Sequence, residues 1–292
     1  GGSAIPRATL YAFPSAALSI FFHYLIDAHR ESFIFLEDIN QSAVWAAMVI
    51  VLGMLLGIRT NKAYDRFWEG ITLVQQMRAE WFEATSNLLA FAMVAGKRDS
   101  DMLDQVREFQ HTLVRLMSLM HGAALRQIGG YVEEFEVLDL QALDPASLKY
   151  LIECGEYGMN PVETLLHWIQ VLVTESVEAG VIIVAAPIVS RAYQTLSRGM
   201  VNLHNARKLA EVPFPFALSQ VIVVLLLIQT LVMPFFVASL VNHPIYAAVV
   251  TFLPMLGMWS VTFIAGELEQ PFGSDPNDLP LSVLQYDFNM TL

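Results

Sequence analysis

Four carboxylates stand close together near the end of the chain, Glu267, Glu269, Asp275 and Asp278, in the stretch GELEQPFGSDPNDLPL. Clustered carboxylates beside turn carbonyls are the material of a calcium site, because Ca2+ gathers about six to eight oxygen ligands. The spacing is not that of an EF-hand loop, and a capped, hydrogen-bonded turn accounts for the same residues. The histidines His23, His29, His111, His121, His167, His204 and His243 include no pair at i, i+4. The chain contains no HExxH, no GxSxG, no Walker A and no dinucleotide glycine fingerprint. Nothing pairs a nucleophile with a base, so the residues give a catalytic reading no footing. His23 falls in an apolar run, where a histidine is either a satisfied packing residue or a functional group such as a metal ligand.

A second pattern does physical work without reactive groups. Ile50, Met54 and Ile58 are spaced by four and drift slowly around one helix face. Such a stripe either packs against lipid or another helix, or lines a narrow pore as a constriction that gates ions by dewetting. Gly53 and Gly57, also four apart, form a small-xxx-small pair that lets a neighbouring helix approach closely in lipid.

The element that must carry both stripes is SAVWAAMVIVLGMLLGIRTNKAYDRFWEG, Ser42 to Gly70. No charge occurs from Ile39 to Ile58, a run about as long as a bilayer's ~30 Å hydrocarbon core requires. The sequence then turns to Arg59, Lys62, Asp65, Arg66 and Glu69, which lipid would not accept cheaply. One continuous helix is expected, crossing the membrane and running on into a polar domain. Arg59, Asn61, Tyr64, Asp65, Arg66 and Trp68 are expected to lock its end to its surroundings.

The whole composition agrees. The 292 residues are 55% hydrophobic and 15% charged, against about 25% charge in soluble domains. The net charge of −12 argues against nucleic acid as a partner. The single cysteine, Cys154, excludes an intrachain disulfide and reads as a buried thiol. No signal peptide is recognisable near Arg7.

In chain order, Ala8 to Ile26 is the first membrane candidate, with Pro14 inside it. Residues 1–69 hold the first two spans. Residues 70–211 alternate apolar and charged positions at helical spacing and read as a helical cytoplasmic domain, with turns at Gly96–Ser100 and Gly129–Pro145. The charge-free run Ala179 to Ser190 is too short to span. Val212 to Gly266 carries no Asp, Glu, Lys or Arg, and Asn242-His243-Pro244 divides it into spans near Phe216–Val241 and Ile245–Ala265. Residues 267–292 form an acidic, turn-rich tail. Basic residues at the exits of the second span and before the third place those ends inside, with both termini cytoplasmic. The fold class is therefore an all-α, multi-pass membrane protein with four spans and a large helical cytoplasmic region.

Two segments together, RTNKAYDRFWEG after the second span and ELEQPFGSDPNDLPL after the fourth, resemble the bestrophin channel family, bacterial members included. The order of elements fits from about Arg7 to the C-terminus. The resemblance implies a homopentamer around one central pore in the cell membrane, passing chloride or other small monovalent anions. It implies a neck of three hydrophobic residues on the second helix, which fall on Ile50, Met54 and Ile58. It implies a second constriction at the cytoplasmic end of the pore, placed at Ile188 with Val184 as the alternative. It also implies a calcium clasp, matched here by the side chains of Asp275 and Asp278 and the backbones of Glu267 and Gln270. Ser274, Pro276 and Asn277 interrupt the denser acidic run of animal members, and the bacterial form is not expected to be calcium-activated. Some algal relatives carry a fused light-sensing module, with which an upstream regulatory module is compatible here.

Three readings follow. The first is an anion channel gated at the neck, since most members of the family conduct anions. The second is a cation-conducting channel of the bacterial type, since the neck lacks the phenylalanine edges that face anions and the chain is acidic. The third is a membrane scaffold with its pore shut. A four-helix membrane enzyme would require a metal site built around His23.

Overall fold

The computed structural model describes residues 2–29, 43–98, 100–130, 135–139, 141, 143–273 and 277–292. Every regular element among them is helical: α1 (Ile5–Ala28), α2 (Ala43–Arg98), a short 3-10 turn (Ser100–Met102), α3 (Leu103–Gly129), α4 (Pro145–Glu156), α5 (Pro161–Glu178), α6 (Ala186–Glu211), α7 (Phe216–Leu240), α8 (Pro244–Leu268) and α9 (Leu281–Thr291). Four of these, α1, α2, α7 and α8, are long and apolar enough to cross a membrane. The helix ends follow local chemistry. Asp144 and Asn160 accept from the backbone N–H of Ser147 and Val162, capping α4 and α5, and a proline stands in the first turn of each. Gly130, at φ 64°, closes α3 in the left-handed conformation that only glycine adopts freely. His243 caps α8, so the Asn242-His243-Pro244 turn separates α7 from α8 as the sequence anticipates.

The chain divides into two compact units, residues 1–68 with 212–278 and residues 69–211 with 279–292. The division falls inside α2, between Trp68 and Glu69, and α2 is unbroken across it.

In the first unit α1 packs against α7 and α8. Its contact face is made of small residues, with Ala8, Ala12, Ser15, Ala16 and Ser19 all buried, which lets helix backbones approach closely in lipid. Leu52 and Leu56 from α2 join Ala8, Ile222, Leu226 and Trp259 in one apolar cluster. Inside hydrocarbon such a cluster is held by dispersion and fit, because lipid tails are as apolar as leucine. Polar groups are tied across helices: Ser15 Oγ donates to the Thr230 carbonyl at 2.9 Å, and Trp259 Nε1 donates to Thr230 Oγ1 at 3.0 Å. Tyr11 stacks on Trp259 with ring centroids 4.0 Å apart.

In the second unit α3 packs against α5, α6 and α9. Met77, Trp81, Leu88, Leu113, Met117, Leu165 and Ile169 are fully buried, and burial of this kind stabilises by about 1.5–3 kcal/mol per large side chain where water is the alternative. Cys154 is buried, as a core thiol should be. The chain breaks between α5 and α6, where Val181 to Ala185 form no helix.

Candidate functional site

The first half of α2 has two sides. Leu52, Leu56, Arg59 and Ala63 are buried. At about 100° per residue they lie opposite Ile50, Met54 and Ile58. Those three are 70%, 67% and 41% exposed, so among the described residues they are left largely open. Gly53 and Gly57 are equally open: a Cβ at either would meet no atom within 4 Å. Among the described residues, no helix packs against the glycine pair.

Below the stripe, α2 turns charged and is fastened at once. Arg59 Nε donates to Glu269 Oε1 at 2.7 Å, with both side chains nearly buried. Arg66 Nε donates to the Glu269 carbonyl at 3.1 Å, and its Nη2 donates to the Val212 carbonyl at 2.9 Å. One residue at the end of α8 thus receives two guanidinium groups, one immediately after Ile58 and one about two turns beyond it. The Arg66 contacts also reach the approach to α7. Lys62 and Asp65, by contrast, pair with each other at 3.5 Å on the exposed side. Tyr64 and Trp68 lie exposed with near-parallel rings.

The tail turn sits beside this collar. Glu267 Oε1 pairs with Arg7 Nη1 at 3.3 Å, and Asn277 Nδ2 donates to Glu267 Oε2 at 3.1 Å and to the Gly2 carbonyl at 2.9 Å. The Asp278 carboxylate lies against Gly273, on the side where the Gln270 carbonyl also faces. Asp275 lies outside the described residues. Among the described residues no three His, Cys, Asp or Glu side chains are grouped as metal ligands. His23 is buried, with Nδ1 3.3 Å from the Ala238 carbonyl, so its ring has a packing partner on α7.

In the second unit, Ile188 occupies the first turn of α6 and is 45% exposed, while Val184 lies half-buried in the preceding connection. The sequence reading missed a buried polar cluster in this unit. His121 Nδ1 lies 2.6 Å from Gln285 Oε1, and Gln285 Nε2 donates to the carbonyls of Ser118 and Glu136 and to Asn289 Oδ1. Phe288 stacks on the imidazole at 4.1 Å. Burial pushes the His121 imidazole down to about 4, against a smaller opposing effect of the Gln285 hydrogen bond, and Arg78 lowers it further. These bonds fasten α9 to α3. The only signal in the sequence was polar residues at helical spacing, which normally reads as a solvated face.

The fold defines an all-helical protein with four helices long and apolar enough to cross a membrane, the second of which carries an apolar stripe that is largely exposed among the described residues. The chain belongs to the bestrophin family: the family model described as Bacterial/Fungal Bestrophin protein matches residues 3–292. A voltage-dependent anion channel-forming protein of Nostoc sp. is 26% identical over 80% of this chain and 71% of its own length. One of the same description from Ralstonia nicotianae is 27% identical over the same shares. Among solved structures, a variant of a bacterial bestrophin homologue from Klebsiella pneumoniae superimposes with a TM-score of 0.80 at 18% identity, covering 100% of this chain and 97% of that one.

Proposed function

We propose that the chain forms a homopentameric channel in the cell membrane, with both termini cytoplasmic, that passively conducts small monovalent anions such as chloride. One observation carries the reading. Ile50, Met54 and Ile58 stand exposed at i, i+4 and i+8, while the opposite face of the same helix is buried. Copies arranged around an axis would turn that stripe inward, and apolar rings in a narrow passage hold back ions until they are wetted or moved aside. The Arg59, Arg66 and Glu269 collar fixes the rotation of α2 just beyond the stripe, so the neck is presented at a set angle. Ile188 is the second constriction. Anion preference is supported by the relatives described as voltage-dependent anion channel-forming proteins and by the family's majority.

Purified protein in planar bilayers under a salt gradient tests this. Reversal near the anion potential, with current raised by Met54→Ala and Ile58→Ala, supports the reading. Reversal near the cation potential makes the protein a cation channel of the same fold. No flux of any ion, in the parent or in the alanine variants, leaves a closed scaffold.

Calcium belongs to the same proposal. The Asp278 carboxylate and Gln270 carbonyl converge at Gly273, which suits an oxygen-seeking cation. Glu267 is already engaged by Arg7 and Asn277 through its side chain, leaving only its backbone for a ligand role. Current unaltered by a calcium chelator would remove calcium from the account.

A further inference from the structure

A cleft of about 450 Å³ lies in the second unit between the C-terminal half of α2 and the start of α6. Glu83 and Asn87 line it from α2, and Ile188, Arg191 and Gln194 from α6. Arg191 follows Ile188 by three positions, so the two share a helix face. Arg198 also reaches the cleft, but its charge is answered within the unit: Nη2 pairs with Glu80 Oε2 at 3.0 Å and donates to Thr195 Oγ1 at 3.2 Å. Arg191 makes no ion pair among the described residues and is exposed. Its guanidinium offers a planar fork of N–H donors with a permanent charge. The amides of Asn87 and Gln194 add donors of the kind an anion needs. Glu83 is the opposing charge on the other wall.

We propose that this cleft holds a small monovalent anion at the Arg191 guanidinium, and that Arg191 thereby sets anion preference at the Ile188 constriction. The second clause rests on Ile188 lining the pore. The neck stripe has neither charge nor donor, so it can gate but cannot choose the sign of the ion. The chain as a whole carries −12, which draws cations into any wide, wet vestibule. A ring of arginines one turn from a constriction reverses that field locally, as charged rings do in selective pores. Glu83 acts against it, which gives the proposal a sign test on two residues in one cleft.

Two measurements on the full chain decide it. In planar bilayers at low salt, Arg191→Gln should lower the anion-to-cation permeability ratio by about threefold or more, Glu83→Gln should raise it, and Arg191→Lys should leave it near the parent value. At ~1 M salt, where screening acts within about 3 Å, both shifts should shrink. Crystals of the full chain soaked in bromide should show anomalous density beside Arg191 that disappears in Arg191→Gln. A parent channel whose selectivity ignores both neutral substitutions overturns the selectivity role and leaves the channel reading standing. An absence of bromide at Arg191 overturns the site. A protein that conducts no ion refutes the channel reading and the selectivity role together, while the bromide result still judges the site.

Discussion

Arg59 and Glu269, 210 positions apart in sequence, meet at 2.7 Å with both side chains nearly closed to solvent. The pair joins the two segments that carry the family resemblance, one leaving the second span and one leaving the fourth. Removing one partner of such a pair leaves the other charge buried without an answer, which costs about 3–5 kcal/mol. Glu269→Gln and Arg59→Gln should each lower the melting temperature markedly. Arg66 keeps its bond to the Glu269 carbonyl in either variant. The double variant should lose much less than the sum of the singles, since contacting groups couple. Purely additive losses in that cycle would show that the contact is not energetically linked.

His121 makes the second unit sensitive to acid. Its imidazole titrates at about 4 in the fold and at 6.5 in its ordinary state. Above pH 6.5 both folded and unfolded chains hold it neutral. As pH falls from 6.5 towards 4 the unfolded chain takes up a proton that the folded chain refuses, so stability is lost across that window, by about 3 kcal/mol in all. The loss falls on the bonds that hold α9 to α3. His121→Leu should flatten this part of the pH profile. It should also destabilise the protein at pH 7.5, because Gln285 Oε1 loses its donor, a cost of about 1–3 kcal/mol. Equilibrium unfolding at pH 7.5 and pH 5 for both proteins gives the comparison, and equal slopes would refute the assignment.

These two sites differ in how far the sequence exposes them. The Ile50, Met54 and Ile58 stripe is legible because helical period is a local property, as is the Asn242-His243-Pro244 turn. The continuity of α2 through Gly70 is legible too, because no helix breaker interrupts the change from apolar to charged residues. That Arg59 is fastened could be read from its position at the end of a span. That Glu269 fastens it could not, because partner choice across the chain is set by packing. His121 and Gln285 are polar residues in helices, and polarity alone points outward. Only the packing of α9 shows that they face each other in the core.

Gly199 is a further case in which a tertiary contact overrides a local preference. A Cβ there would overlap the Trp81 indole, which is wholly buried and donates from Nε1 to the Leu196 carbonyl at 3.2 Å. Alanine normally stabilises a helix by up to about 1 kcal/mol relative to glycine. Gly199→Ala should instead destabilise, by about 1–3 kcal/mol, because the indole and α6 must move apart. Gly155→Ala is the control: it lies near the end of α4 with no atom within 4 Å of an added Cβ, and should be neutral or stabilising. If both substitutions shifted the melting temperature in the same upward direction, the close approach of Trp81 to α6 would be wrong.

The two faces of α2 should separate stability from conduction. Leu56 is 5% exposed in the apolar cluster, and truncating it to alanine leaves a void that costs about 2–5 kcal/mol. Met54, two positions away and 67% exposed, has little packing among the described residues to lose. Met54→Ala should change stability by no more than about 0.5 kcal/mol, yet raise flux, because a shorter side chain widens the neck and eases its wetting. Leu56→Ala should do the opposite, weakening the fold without opening the passage. Melting curves and liposome flux on the same two preparations distinguish the arrangements. A Met54→Ala protein that melts as early as Leu56→Ala and conducts no better than the parent would mean that the stripe is a packing face between helices and that the gate lies elsewhere.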